Sequence, residues 1–323
     1  MMIPEPVLAA WGFTGLPIKL GRGLINDTYC ISNQFVLQRI NKRVFLQPKE
    51  VVANFKRVYD NVRDLVPRLI TTEQGSDCFE DQNGDVWRCS EYYRSRNFQS
   101  VPDEMVHVAG QAFGLFLYRL RNCDVSLEPV IPNFHDFRYY LNELEEAWRE
   151  DLNQLDRTLI ERYRKLVDEK APTGPEQIIH GDCKVNNLLF DLSENKVIRI
   201  VDTDTLMWGY PVWDFGDLVR SIAMGISSDV RLKHRISSVC NGFFEKFPVT
   251  DAEMEYYAFA PTYMSMMLGV RFLTDHFLGN PYFKVNQEGE NMVRALEQFE
   301  LAKTLNSHEG ELQTMIHTIA RGL

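Results

Sequence analysis

Several features that mark other classes of protein are scarce or absent in this 323-residue sequence. Its six cysteines, at positions 30, 78, 89, 123, 183 and 240, form no CxxC pair. A disulfide framework is therefore not expected, and a reducing compartment fits better. No apolar run approaches the roughly 20 residues of a membrane-spanning helix, and the N-terminus lacks the basic start and long apolar core of a secretory signal. These absences predict a cytoplasmic protein without a membrane partner.

Basic residues are also fewer than acidic ones. The sequence contains 35 Lys and Arg residues against 45 Asp and Glu residues, and its net charge is -10. Nucleic acids and anionic membranes require a basic face, so neither is expected as a partner. Hydrophobic residues (45%) and charged residues (25%) are present in ordinary globular proportions. The length suits one large two-lobed unit or two domains.

The most informative stretch runs from Gln177 to Asp191 and reads QIIHGDCKVNNLLFD. It contains Asp182 after an apolar pair and Asn187 five residues later, and a second apolar run then ends on Asp202. In kinases an Asp accepts the proton of the substrate hydroxyl, an Asn at this spacing holds magnesium, and a later Asp chelates the metal. The pattern predicts Asp182 as the catalytic base and Asn187 and Asp202 as metal ligands.

The residue types suit this chemistry. Magnesium prefers carboxylate and amide oxygens, and a carboxylate can align an alcohol and take its proton. The alternative is an ordinary turn between strands, since a single HxD triplet is weak evidence, but the joint pattern favours catalysis. His180 has only Cys183 nearby as a second zinc ligand, so we expect it to shape the loop through hydrogen bonds.

Three stretches carry a family resemblance: LINDTYCISNQFVLQRIN at 24–41, the catalytic stretch with VDTDTLMWGYPVWDFGD, and RFLTDHFLGNPYFKV at 271–285. They resemble the aminoglycoside phosphotransferase and choline kinase superfamily, and most closely its N-acetylhexosamine 1-kinase branch. The resemblance implies an α+β, two-lobed protein-kinase-like fold, with an antiparallel-sheet N-lobe at 1–95 and a larger helical C-lobe at 96–323. ATP and Mg²⁺ would bind between the lobes.

The implied reaction is transfer of a phosphoryl group from ATP to the anomeric hydroxyl of an N-acetylhexosamine, giving a sugar 1-phosphate. A kinase of another small molecule, such as an aminoglycoside, a choline-like amino alcohol or another sugar, is the main alternative. A nucleotide-binding module without turnover is a third possibility. A protein kinase is not expected, because no activation loop ends in an APE motif.

The N-terminal region supplies the expected nucleotide contacts. Gly21 and Gly23 precede Asn26, Asp27 and Thr28, where a kinase has a hairpin whose backbone N–H groups cover the ATP phosphates. The sequence has no full GxGxxG, and a plain hairpin is the alternative.

The next strand lacks the phosphate-binding Lys of protein kinases and offers Gln38 at its position with Arg39 alongside. Alternation sends these two side chains to opposite faces, so only one can enter the cleft. In the following helix, Glu50 either pairs with the strand cation or is solvated. By resemblance, Glu91 and Tyr93 lie at the hinge, where backbone groups would contact adenine.

The C-lobe is predicted to carry the acceptor site. By resemblance, Arg271 and Tyr282 hold the sugar beside Asp182. Arg offers a rigid fork of donors, and Tyr a flat face with one hydroxyl. The alternative is that Arg271 pairs with Asp275 at helical i,i+4 spacing and that Tyr282 packs in the interior. Leu24 departs from the polar residue, often His, expected in the sugar-kinase branch, which could indicate a different acceptor.

Aromatic residues follow the predicted metal ligand at Trp208, Tyr210 and Trp213. Clustered rings can cage a quaternary ammonium group, which would indicate a choline kinase, although packing beneath the catalytic loop is the preferred interpretation. Asp214 is interpreted as a buried brace of that loop and Asp217 as a charge at a helix start. Helices are predicted at 134–169, 217–226, 230–247, 251–278 and 288–305.

Overall fold

The structure is a computed structural model that describes residues 3–20, 25–149, 155 and 157–322. The glycines Gly21 and Gly23 of the predicted phosphate-covering hairpin, and the substrate-branch position Leu24, lie outside these described residues. The remaining predicted site positions lie within them.

The first part of the chain combines short strands with two helices. In order, its elements are α1 (Glu5–Ala10), β1 (Pro17–Lys19), β2 (Asp27–Ile31), β3 (Phe35–Arg39), α2 (Pro48–Val62), β4 (Leu69–Ile70), β5 (Phe79–Glu80) and β6 (Val86–Glu91). Helix α2 starts at a proline, which suits the first helical turn, and buries the face formed by Val51, Val52, Phe55, Val58 and Val62.

These strands form one antiparallel sheet in the order β1-β2-β3-β6-β4, with β5 also paired to β6. Its register places Thr28, Gln38 and Arg88 side by side across β2, β3 and β6. The other face carries Leu37 and Trp87, which pack against buried residues of α1. Because α1 covers that face, the face bearing Gln38 is the one available to the cleft.

The second part is mostly helical. Its elements are α3 (Val106–Leu120), α4 (Phe137–Ala147), α5 (Thr158–Lys170), β7 (Gln177–Ile179), β8 (Leu188–Phe190), β9 (Val197–Ile200), β10 (Met207–Gly209), α6 (Pro211–Ala223), α7 (Asp229–Lys246), α8 (Asp251–Tyr257), α9 (Ala260–Phe277), α10 (Glu290–Ser307) and α11 (Glu309–Gly322).

Two short antiparallel pairs, β7 with β10 and β8 with β9, frame the catalytic stretch. The loop between β7 and β8 contains Asp182, and Asp202 lies two residues after the end of β9. Strand β7 is fully buried and belongs to the large core cluster that also includes α3, α6 and α7. The predicted α+β architecture, a small antiparallel sheet followed by a mainly helical part, is confirmed. The division at residues 95 and 96 stays a prediction.

Three helix predictions need correction. The region 134–169 contains the separate helices α4 and α5 rather than one continuous helix, and 251–278 is divided between α8 and α9. Pro261 explains the second break, because it occupies the first turn of α9 and proline is tolerated there but not in a helix interior. Helix α6 begins at Pro211, so Asp217 lies inside it and not at its start. Helix α11 was not predicted.

Glycines allow α3 and α7 to meet backbone to backbone. A Cβ atom on Gly242 would overlap the carbonyl oxygen of His107, and one on Gly110 would overlap that of Val239. Backbone atoms cannot rotate away as a side chain can, so added volume here displaces a whole helix.

We expect Gly242→Ala to destabilise the protein by about 1–3 kcal/mol or more, because overpacking a close helix contact forces backbone shifts. Thermal and urea unfolding would measure the change. Gly310→Ala in α11 is the matched control, since open space surrounds that position and alanine favours helix formation. Equal stability of the two variants would contradict backbone-to-backbone packing of α3 and α7.

Candidate active site

The catalytic loop is anchored by a carboxylate from helix α6. Asp214 accepts hydrogen bonds from the backbone N–H of His180 (2.7 Å) and of Gly181 (2.9 Å). Burial raises the pKa of Asp214 to about 7 even though these bonds favour its ionised form. Gly181 has φ +78°, and a Cβ atom there would crowd the carbonyl oxygen of Thr205. The placement of Asp214 supports its predicted role as a brace.

His180 is a structural member of the loop. Its Nδ1 accepts from the backbone N–H of Asp182 at 3.3 Å, and its Nε2 lies 3.2 Å from the carbonyl oxygen of Val201. The ring is enclosed edge-on by Phe113 and Phe116. Burial lowers the pKa of His180 to about 4, so the imidazole is neutral at neutral pH. This arrangement supports the predicted loop-shaping role.

Two side chains hold the Asp182 carboxylate. Oδ2 accepts from the Lys184 ammonium at 2.6 Å and from Nδ2 of Asn187 at 2.9 Å. Burial opposes ionisation, but the adjacent Lys184 charge outweighs it and holds the pKa of Asp182 below its usual value. Asp182 is therefore an oriented carboxylate at neutral pH. That is the form a base requires.

The predicted metal ligands Asn187 and Asp202 lie beside Asp182. The side-chain Nδ2 of Asn187 donates to the backbone carbonyl oxygen of Asp182 (2.8 Å) and to its carboxylate Oδ2. The side-chain oxygen of Asn187, Oδ1, therefore remains available to a metal ion. Asp202 adopts a left-handed conformation with φ 64°, which few non-glycine residues adopt, although Asp does so more readily than most. Desolvation within the cleft and the nearby charge of Asp204 raise the pKa of Asp202 to about 7.

A hard divalent cation fits this donor set. The Asp202 carboxylate lies near the negative charges of Asp204 and Asp182, so a cation would relieve their repulsion. Carboxylate and amide oxygens are suitable magnesium ligands, and magnesium commonly keeps waters and phosphate oxygens as its other ligands.

The predicted nucleotide-contacting residues separate into two groups. Asn26 and Thr28 lie with Gln38 on the cleft side. Nδ2 of Asn26 donates to Asp204 at 2.6 Å, and Oγ1 of Thr28 accepts from Gln38 at 3.1 Å. These residues link the sheet to the segment that follows Asp202.

Asp27 and Arg39 point to the opposite face of the sheet. Arg39 pairs with Asp27 at 2.5 Å and with Asp85 at 3.1 Å. This placement argues against the expected contact of either side chain with phosphate, and it follows from strand alternation. Of the two possibilities for Glu50, the structure does not favour pairing with the strand cation, because Glu50 pairs with Arg57 of its own helix at 3.3 Å.

At the predicted hinge, the side chains of Glu91 and Tyr93 bind each other. The Tyr93 hydroxyl donates to Glu91 at 2.7 Å, and Arg68 pairs with the same carboxylate at 2.9 Å. The Arg199 guanidinium lies 4.3 Å from the centre of the Tyr93 ring. With both side chains engaged, adenine contacts at this point would use backbone groups, as predicted.

On the acceptor side, the Arg271 guanidinium is surrounded by aromatic rings. Its Cζ lies 5.0 Å from the ring centres of Phe134 and Tyr140, 5.3 Å from that of Tyr282 and 5.6 Å from that of Phe283. Nearby Tyr140, Tyr282 and Asp182 favour the charged form of Arg271 and raise its pKa although burial opposes this. The structure therefore brings Arg271 and Tyr282 together near Asp182.

The alternative partner for Arg271 is engaged elsewhere. Asp275 accepts from the backbone N–H groups of Tyr282 (2.8 Å) and Phe283 (3.0 Å), and from Asn291 (2.8 Å). Its carboxylate thus fixes the turn that presents Tyr282, and the geometry does not favour the alternative, an i,i+4 ion pair of Arg271 with Asp275.

The aromatic residues after Asp202 do not form a common cage. The Trp208 indole donates to the Val125 carbonyl at 3.1 Å, whereas Trp213 donates to that of Pro172 at 3.2 Å. Tyr210 packs edge-on against Trp213 at 4.8 Å. Tyr210 and Trp213 therefore have the packing role preferred from the sequence, whereas Trp208 is 39% exposed.

Three site residues were missed from the sequence. Lys184 had a visible signal, because it lies two residues after Asp182 within the recognised motif. Arg88 had none, since its proximity to Gln38 depends on strand register.

His135, the third missed residue, lies on the loop before α4. Its Nε2 is 2.9 Å from the Gly181 carbonyl, and its buried Nδ1 has no partner among the described residues. Burial and the Arg271 charge lower the pKa of His135 to about 4. If Nε2 donates to Gly181, Nδ1 carries a lone pair available to a donor group.

The small sheet, the helical second part and the Asp182–Asn187–Asp202 cluster define a protein-kinase-like phosphotransferase. The family model described as "Phosphotransferase enzyme family" (APH) matches residues 18–236, more than half of the chain. The chain belongs to this family.

Solved structures show the same fold at low sequence identity. Amicoumacin kinase hAmiN, in complex with AMP-PNP, Ca²⁺ and Ami, has a TM-score of 0.67 at 14% identity, covering 93% of this chain and 92% of that chain. A microcompartment-associated aminopropanol kinase has a TM-score of 0.65 at 15% identity, with coverages of 94% and 97%. A choline/ethanolamine kinase family protein from Mesorhizobium loti has a TM-score of 0.65 at 16% identity, with coverages of 96% and 94%.

Family membership and fold together confirm the prediction of a small-molecule kinase. They also confirm the wider family resemblance, whereas the N-acetylhexosamine 1-kinase branch remains a proposal. Within the described ranges, no helix is both long and apolar enough to cross a membrane.

Proposed function

We propose that this protein transfers the γ-phosphoryl group of Mg-ATP to the anomeric hydroxyl of an N-acetylhexosamine. The observation that carries the acceptor proposal is the Arg271 guanidinium held among four aromatic rings near Asp182. The Asp182–Asn187–Asp202 cluster and family membership support the phosphotransfer itself. ATP as the phosphoryl donor is also supported by the neighbour solved with AMP-PNP.

In the proposed reaction, the acceptor oxygen bonds to the γ-phosphorus while the bond from that phosphorus to the bridging oxygen breaks and ADP leaves. The acceptor hydroxyl proton passes to the Asp182 carboxylate. Lys184 and Asn187 hold that carboxylate in place, and the Lys184 ammonium is positioned to neutralise charge on the transferred group. Asn187 and Asp202 would hold magnesium, which neutralises phosphate charge when bound.

The fixed positive charge of Arg271 bears on the choice of acceptor. Aromatic faces that could stabilise a ligand ammonium group already surround a guanidinium here. A cationic acceptor near Arg271 would meet like-charge repulsion in a buried site. Two neighbours are named as aminopropanol and choline/ethanolamine-type kinases, but this charge favours a neutral acceptor. A guanidinium can donate to sugar hydroxyls or an acetamido carbonyl, and a Tyr ring can cover a pyranose.

An acceptor panel tests the proposal. ADP release would be measured with N-acetylglucosamine, N-acetylgalactosamine, their methyl glycosides, glucose, choline, an aminopropanol and an aminoglycoside. We expect turnover of an N-acetylhexosamine, loss of turnover when its anomeric oxygen is methylated, and a sugar 1-phosphate by phosphorus NMR. Preferential turnover of choline or another amine would favour the other small-molecule kinases. ATP binding without turnover of any acceptor would favour a non-catalytic nucleotide-binding module.

Substitution of Arg271 should affect the sugar more than the nucleotide. We expect Arg271→Ala to raise KM for the N-acetylhexosamine about 10- to 100-fold, the loss expected from one or two charge-assisted hydrogen bonds. KM for ATP should change little. Initial-rate kinetics with each substrate varied in turn would measure both constants.

Arg294→Ala is the matched control, because Arg294 also lies near an aromatic ring, that of Phe272, but pairs with Glu290 at 2.5 Å. Its sugar KM should match the wild type. A large fall in melting temperature for Arg271→Ala, with unchanged sugar KM in the folded fraction, would show that Arg271 serves packing.

A further inference from the structure

The sheet position where protein kinases carry a phosphate-binding Lys is occupied here by a neutral side chain, Gln38. Its Oε1 accepts two hydrogen bonds from Arg88, from Nε at 3.0 Å and Nη2 at 2.9 Å. Its amide donates to Thr28 at 3.1 Å. Gln38 therefore has the contacts of a residue that orients a guanidinium from the neighbouring strand.

Arg88 extends from the sheet to the catalytic side. Its Nη2 lies 2.5 Å from Oδ1 of Asp204, and both side chains are almost fully buried, with exposures of 8% and 2%. Asp204 follows the predicted metal ligand Asp202 by two residues and also accepts from Asn26. The guanidinium is thus fixed between the sheet and the predicted metal site.

The strand register shows which other basic side chains of the sheet could reach the ATP phosphates. The paired strand positions that share this sheet face in the described residues are Ile18, Thr28, Cys30, Val36, Gln38, Leu69, Glu80, Val86, Arg88 and Ser90. Arg88 is the one basic residue of that set. Arg39 is on the opposite face with Asp27 and Asp85.

We infer that Arg88 supplies the sheet's positive charge to the ATP phosphates, with Gln38 as its positioning residue and Asp204 as its counter-ion. The cation is thus carried by β6, the strand next to β3, where protein kinases carry their Lys. A guanidinium suits this place because its planar fork can bind a side-chain oxygen and phosphate oxygens together. This inference rests on the proposed use of ATP.

The test compares nucleotides that differ in phosphate content. Calorimetric titration with ATP, ADP and adenosine would be carried out on the wild type and on Arg88→Met. We expect the Kd for ATP and ADP to rise about 10- to 100-fold through loss of charge-assisted hydrogen bonds, while the Kd for adenosine stays unchanged. A purely structural role for Arg88 would weaken all three alike.

Two further variants sharpen the result. Gln38→Lys in the Arg88→Met background returns a cation to the usual strand position and should recover part of the ATP affinity. Arg39→Met removes an equal charge from the other face and should leave ATP affinity unchanged. If Arg88→Met does not fold, Arg88→Gln keeps an amide that can donate to Asp204 and is expected to show the same nucleotide pattern.

Unchanged ATP affinity in a folded Arg88 variant, or equal weakening of ATP and adenosine, would overturn the inference while leaving the proposed function in place. A wild-type protein that does not bind ATP at all would overturn both.

Discussion

Asp182→Asn is expected to lower kcat by about 10²- to 10⁴-fold, the contribution typical of a positioned general base. The amide cannot accept the hydroxyl proton of the acceptor, although it has nearly the same shape as the carboxylate. Its side-chain oxygen can still accept from Lys184 and Asn187, which bond to Asp182 in the wild type. The loop should therefore keep its conformation.

This separation of chemistry from folding makes the measurement specific. Steady-state kinetics would give kcat, and calorimetry and thermal unfolding would show unchanged ATP affinity and melting temperature. Asp168→Asn, at an exposed carboxylate paired with Arg138, serves as a control with normal turnover. Near-normal kcat for Asp182→Asn would remove Asp182 from the role of base.

Asp202→Ala is expected to reduce turnover by roughly a thousand-fold or more, since a metal ion contributes several kcal/mol to a phosphoryl-transfer transition state. Removal of the charged ligand should also weaken magnesium-dependent ATP binding. Asn187→Ala should weaken metal binding less, because it removes a neutral ligand, but it also removes the bond that orients Asp182. The kcat of Asn187→Ala should therefore fall further than its loss of metal affinity alone would cause.

The measurement compares ATP binding with magnesium and with EDTA, for the wild type and both variants. Asp191→Ala is the matched control, because Asp191 follows strand β8 as Asp202 follows its partner β9. Among the described residues, the Asp191 carboxylate accepts hydrogen bonds from its own turn, at Ser193 and Glu194. If Asp202→Ala kept the metal dependence of the wild type, the metal site would have to lie elsewhere.

The catalytic cluster could be predicted from sequence because it is local. Asp182 and Asn187 lie on one loop, and the β8–β9 hairpin brings Asp202 beside them. Strand alternation also indicated, from sequence alone, that Gln38 and Arg39 point to opposite faces.

Alternation could not say which of those faces borders the cleft. That choice depends on α1, which packs against Leu37 and Trp87 and covers the other face. The role inferred for Arg88 depends on β3 and β6 pairing across about 50 residues, a register that local sequence does not specify.

The acceptor site was likewise predicted in part from the sequence and decided in part by the tertiary structure. The sequence placed Arg271 and Tyr282 on either side of a helix break, and the resemblance suggested a shared site. Only the tertiary structure added Phe134 and Tyr140 from a distant segment and engaged Asp275 in the turn. Motifs held within one loop or hairpin were fixed by the amino-acid sequence itself. Strand pairing and helix packing decided which charges meet in the cleft, because those contacts join residues far apart in the chain.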